Sequence, residues 1–150
     1  MGTSVNTWLI LWKSTRAVEL YAHQSIESLD LGVTDFAVLE ALLHKGPLLI
    51  NALGKVVLLT SGSMTAAVDR LEKRGLVERR DVPTDRRACV VHLTGKGNSL
   101  IKKAFSQHAS DIERVMSVLN STERKQFAAL LIKLKNAADE LRQKKGELNE

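Results

Sequence analysis

Backbone breakers are unevenly spread along this chain of 150 residues, and their placement limits the folds open to it. Both prolines, Pro47 and Pro83, and six of the nine glycines fall between residues 46 and 97. Short elements and tight turns belong there, since proline removes a donor and glycine accepts backbone angles other residues avoid. From Asn98 to Lys145 there is neither. That stretch is long enough for two helices with one break. The break is Asn120-Ser121-Thr122-Glu123, with Ser121 as the expected N-cap and Glu123 facing the positive end of the helix. Beyond it Phe127, Leu130, Leu131, Leu134, Ala138 and Leu141 form one apolar stripe. Before it Ile101, Ala104, Phe105, Ile112, Val115, Met116 and Leu119 form another, interrupted by His108. Such a hairpin buries part of its stripes internally and leaves terminal and flanking apolar surface. Near the other end, Trp8-Leu9-Ile10-Leu11-Trp12 is apolar on every side of a helix. A second copy of the chain is the simplest cover for these surfaces.

The middle zone reads as short elements in a definite order. Thr34 is the expected N-cap of a helix through Leu43, ended by Gly46-Pro47. A short helix follows from about Leu49 to Val56, then a turn over Leu58 to Gly62. Ser61 or Ser63 then caps a helix through Met64, Val68 and Leu71 that stops at Gly75. This is helix-turn-helix order. Next come Leu76 to Arg80, a polar loop from Asp81 to Arg87, and Ala88 to Leu93, whose β-branched residues predict a hairpin. The expected fold is mainly α with a small β-hairpin wing.

Composition narrows the setting. The single cysteine, Cys89, excludes an intrachain disulfide framework and a Cys-rich zinc cluster. No apolar run exceeds six residues, far below the ~20 a bilayer span needs. The first basic residue, Lys13, follows the early apolar run, unlike a signal peptide. These features predict a soluble, cytoplasmic protein. The net charge is only +5, but six of ten arginines (Arg70, Arg74, Arg79, Arg80, Arg86, Arg87) lie between Ser61 and Arg87, while residues 1–60 carry four basic and five acidic groups. Forked, permanently charged guanidinium groups suit phosphates and base edges.

The run Ser61 to Arg79, then Asp85-Arg86-Arg87, then Val91-His92-Leu93-Thr94-Gly95-Lys96-Gly97, resembles the MarR family of bacterial transcriptional regulators. The shared pieces are a recognition helix ending in a basic residue and Gly, a strand with Arg at its fourth position, an Asp-x-Arg wing tip, and Leu-Thr-x-x-Gly opening the next helix. The resemblance implies a single winged helix-turn-helix lobe over about residues 31–97, with dimerisation helices over about 1–30 and 98–145. It also implies a homodimer on a pseudo-palindromic duplex, acting as a repressor by occluding polymerase.

In a winged helix the second helix enters the major groove, so Ser61, Ser63, Thr65, Ala66, Asp69 and Arg70 are candidates for base or backbone contacts. Arg70 fits a guanine or a phosphate. At the wing the resemblance implies Arg86 in the minor groove, with Thr84, Arg87 and Arg79 near the backbone. Asp69 and Asp85 read as groups that orient arginines. Family members are commonly released by small, often aromatic acids. Trp8, Trp12, Tyr21 and Phe36 offer apolar walls for such a ligand, and Arg16, His23 and His44 offer polar partners. The four histidines show no metal-ligand spacing, so no metal or cofactor is expected. Cys89 reads as a small buried residue in the returning strand. Cys89 and His92 fall on opposite strand faces, and no other catalytic constellation occurs, so an enzyme is not expected. The alternative is a winged helix that binds protein without specific DNA binding.

Overall fold

A computed structural model of the chain describes residues 2–57 and 61–147; the side chains of Ser61, Arg86, Arg87, Gly146 and Glu147 also lie outside the described residues. The elements run α1 (Thr3–Glu27), α2 (Val33–Lys45), β1 (Leu48–Leu49), α3 (Ile50–Val57), α4 (Ser61–Lys73), β2 (Val77–Val82), β3 (Asp85–Leu93), α5 (Gly95–Met116) and α6 (Ser121–Glu147). They form two compact units, residues 1–112 and 113–150. The predicted class holds: a mainly helical winged helix-turn-helix with a small antiparallel sheet in the order β1-β3-β2.

The core of the first unit lies among α2, α3, α4, the sheet and the start of α5. Val38, Leu39, Leu53, Val68, Leu71, Val91 and Ile101 have no exposed surface. Helix α4 shows why: Met64, Ala67, Val68 and Leu71, at i, i+3, i+4 and i+7, are all sealed inside. Full burial of each of the three larger chains contributes about 1.5–3 kcal/mol.

Several expected caps are corrected. Helix α2 starts at Val33 with Gly32 as its cap, because Phe36 N–H bonds to the Gly32 carbonyl; Thr34 lies inside the first turn. Helix α4 already includes Ser61 and Gly62, so Ser63 is a helical residue; the rest of the expected turn, Leu58 to Thr60, lies outside the described residues. At α6 the cap is Asn120, not Ser121. Its Oδ1 accepts from the N–H groups of Thr122 and Glu123, both at 3.0 Å, and Glu123 Oε2 accepts from Asn120 N–H at 2.8 Å. That reciprocal arrangement is a capping box. The wing is corrected too. Its turn is only Pro83-Thr84, and the strands run further out than the polar sequence suggests. The register jumps from Asp81 opposite Cys89 to Val82 opposite Asp85. Arg86, Arg87 and Ala88 therefore face no β2 residue, a bulge of the kind that raises local twist. Cys89 is half-buried rather than sealed, while Val91 behind it is fully buried.

The junction after α4 carries the Leu-Thr-x-x-Gly signature. Gly75 adopts φ 69°, and the N–H groups of Gly75 and Leu76 bond back to Glu72 and Leu71, which closes the helix. Thr94 then works in two directions. Its hydroxyl donates to the Gly75 carbonyl at 2.7 Å and accepts from Gly97 N–H at 3.0 Å, capping α5. A side chain at Gly97 would sit 1.9 Å from the Leu76 carbonyl oxygen. Glycine is required there for two backbones to meet.

Helix α6 buries no apolar residue of its stripe: Phe127 is 44% exposed, Leu130 65%, Leu134 54% and Leu141 65%.

Candidate nucleic-acid interface

With Met64, Ala67, Val68 and Leu71 pointing inward, the opposite face of α4 is available. Ser63, Thr65, Ala66, Asp69 and Arg70 all lie on it as exposed residues. The fold brings these five candidates together on one exposed surface. Ser61 belongs to the same helix start, but its side chain is outside the described residues. Thr84 occupies the tip of the wing and Asp85 opens β3, both exposed. The backbones of Arg86 and Arg87 lie in the bulged part of β3; their side chains are outside the described residues.

The arginines divide in a way that composition conceals. Arg70 Nη2 donates to Asp35 Oδ1 at 2.7 Å, and Asp35, on α2, is only 6% exposed. The hydrogen bond it donates to Asp35 and then the charge of that carboxylate raise the Arg70 pKa above the usual guanidinium value. Arg79, on β2, is held by two residues of α4. Its guanidinium donates to Asp69 and to Glu72, and its backbone N–H also donates to Glu72 Oε1 at 3.1 Å. Burial opposes the charge of Arg79, yet those two carboxylates raise its pKa overall. Arg80 pairs with Glu78, and Arg74 donates to the Asp30 carbonyl at 3.4 Å. Arg79 therefore fastens β2 to α4. Asp69 does orient an arginine, and Glu72 completes the clamp. Sequence reading overlooked Glu72 and Asp35, since neither stands at a spacing that announces its partner.

The residues proposed for a small ligand do not gather at one point. Trp8 and Trp12 stack on each other at 6.2 Å and are 58% and 60% exposed. Arg16 pairs with Glu19, and His23 lies 4.0 Å from the same carboxylate. From Trp8 to Tyr21 along α1 is ~20 Å at the helical rise. Phe36 and His44 instead face α5. Phe36 meets His108 edge-on at 5.1 Å, and His44, itself 3.7 Å from Glu40, meets Phe105 at 4.7 Å. Beside this pair Ser25 Oγ donates to Asp111 Oδ2 at 2.7 Å and accepts from His108 Nδ1 at 3.0 Å. The hydroxyl hydrogen is directed at the carboxylate, so His108 is not placed as its base. Burial holds the His108 pKa below the usual histidine range, against the pull of Asp111 and Glu40. The sequence missed this cluster because its members come from α1 and α5, more than 80 residues apart.

Residues 29–88 match the profile of the MarR family. The HTH-type transcriptional regulator MhqR of Bacillus subtilis (strain 168) is 38% identical over 120 residues, which cover 80% of this chain and 83% of that one. The chain belongs to the MarR family. Its homologues are DNA-binding transcriptional regulators rather than enzymes. Among solved MarR-family structures, a mutant of MarR from E. coli, complexed with operator DNA, matches with TM-score 0.76 and 23% identity, over 87% of this chain and 94% of that one. BpsR of Bordetella bronchiseptica, whose DNA binding is regulated by 6-hydroxynicotinic acid, matches with TM-score 0.75 and 24% identity, over 87% and 98%. In this MarR-family chain no described helix is long and apolar enough to cross a membrane.

Proposed function

We propose that this MarR-family regulator binds duplex DNA as a homodimer, represses transcription, acts in the cytoplasm and is released by a small aromatic acid. The observation that carries the DNA reading is α4: one face sealed in the core, the other presenting Ser63, Thr65, Ala66, Asp69 and Arg70. A short, rigid helix with small polar residues on its outer face suits the major groove, where Ser and Thr read bases permissively. Arg86 and Arg87 on the wing remain the candidates for the minor groove and the backbone.

The dimer reading is supported by apolar side chains with no cover in one chain. Trp8, Ile10 and Trp12 of α1 and Leu130, Ile132 and Leu141 of α6 are each 58–65% exposed. Two copies would set half-sites about 34–36 Å apart on a pseudo-palindrome. The operator complex of the MarR mutant supports DNA as the partner, and BpsR supports an aromatic acid as the releasing ligand.

Selection of genomic fragments by the purified protein, followed by a salt titration on a selected duplex, tests the reading. Log affinity should fall steeply and linearly with log salt. A flat dependence, with no fragment enriched, leaves the protein-interaction module as the function.

A further inference from the structure

We propose that Asp35 is a positioning residue for DNA binding: it fixes the Arg70 guanidinium so that the donors it does not use face the duplex. The inference rests on the reading of α4 as the recognition helix. Asp35 sits in the first turn of α2, which packs against α4, and only 6% of it reaches solvent. Arg70 contrasts with it. Its side chain is 53% exposed, and one Nη2 hydrogen bond of 2.7 Å ties it to the carboxylate. A guanidinium carries five N–H donors in a rigid plane, so one such bond orients the rest. Arg70 lies one residue from Asp69 and one turn from Ala66 on the exposed face of α4, and its side chain is open to solvent there.

Two opposite consequences of the pair are conceivable, and the burial of Asp35 decides between them. If Arg70 left Asp35 to reach DNA, it would strand an ionised carboxylate inside the protein, which is costly when no partner replaces it. Among the described residues no buried side-chain nitrogen or oxygen lacks a partner. Arg70 therefore keeps its bond to Asp35 while its outward edge meets a phosphate or a base. Pre-ordering removes rotamer entropy that a free arginine would lose on binding.

The test uses a duplex that the wild-type protein selects from genomic fragments and a scrambled duplex of equal length, with affinities from fluorescence anisotropy at fixed salt. Asp35→Asn and Arg70→Gln should each weaken binding to the selected duplex about tenfold, the scale of one positioned arginine contact. The double variant should be no weaker than Arg70→Gln alone, since both changes remove one contact. Wild-type affinity or tighter binding in Asp35→Asn overturns the proposal, as does a double-variant loss equal to the product of the two single losses. Arg70→Lys keeps the charge and loses the fork, and its reading does not depend on whether Asp35→Asn folds. It should stay near the Arg70→Gln level, and full recovery means that charge suffices and positioning by Asp35 is wrong. Should the wild type select no duplex, the recognition-helix reading itself fails.

Discussion

Helices α4 and α6 are both amphipathic by sequence, yet only α4 has its apolar stripe sealed in a core. Along α4 the apolar positions Met64, Ala67, Val68 and Leu71 are buried to 1% exposure or less. Along α6, Phe127, Leu130, Ile132, Leu134 and Leu141 are 44–65% exposed. Helix α1 contains both situations, with Ser25 and Ile26 buried near one end and Trp8, Ile10 and Trp12 open near the other. The lesson is that amphipathic period reports a buried face but not whose face covers it. One lobe is complete in a single chain, and the remaining apolar surface is what the proposed second copy would cover.

The sharpest way to break that comparison is a matched pair of truncations. Leu71→Ala should destabilise the protein by about 2–5 kcal/mol in chemical denaturation, whatever the protein concentration, because it leaves a cavity in a sealed core. Leu130→Ala should leave the dilute chain nearly unchanged and weaken self-association measured by sedimentation. An equal, concentration-independent loss for both variants would mean that α6 is packed within one chain.

Gly97→Ala comes next, at about 2–3 kcal/mol, since the new methyl meets the Leu76 carbonyl oxygen at 1.9 Å and backbone has to move. This tests whether the lobe is closed by backbone contact at the α4–β2–α5 junction. A melting temperature within a degree of wild type would show that the junction is slack. A smaller effect, about 1 kcal/mol, is expected for Asn120→Ala, which removes the acceptor for two N–H groups of α6. Ser121→Ala should cost less than that; the reverse order would restore Ser121 as the cap.

How far the sequence can be read follows the same division. The order of elements in the winged helix was legible because each has a local signal: the i, i+3, i+4, i+7 set ending at Leu71, the stop at Gly75, the β-branched residues around Val91. The exposed face of α4 followed from the buried one. What escaped were pairings that carry no spacing. Asp35 and Arg70 are 35 residues apart, and Ser25 meets His108 across 83. A count of arginines likewise could not show that Arg79 is clamped by Asp69 and Glu72. Cap choice failed for a different reason. Ser121 and Asn120 are both good caps, and only the backbone decides which one stands half in the helix. The two-residue strand β1 is too short to alternate, so no period could reveal it.

The smallest predicted effect probes the buried end of α1. His108 is desolvated between α1 and α2, accepts Phe36 against its ring, and donates to Ser25, while Asp111 of α5 and Glu40 of α2 are the carboxylates acting on it. Burial dominates, so its folded pKa lies below the unfolded histidine value of about 6.5. The sign follows from proton counting. As pH falls through that unfolded value the unfolded chain takes up a proton before the folded one does, so stability declines. The decline stops once pH passes below the folded pKa, and above the unfolded value this group contributes no slope. Denaturation midpoints at pH 7.5 and 5.5 should therefore differ more for the wild type than for His108→Gln. Since Ser25, His108 and Asp111 all belong to the lobe that is complete in one chain, the difference should persist on tenfold dilution. Its disappearance on dilution would place His108 under the control of the second copy, and would move the buried end of α1 to the other side of the comparison.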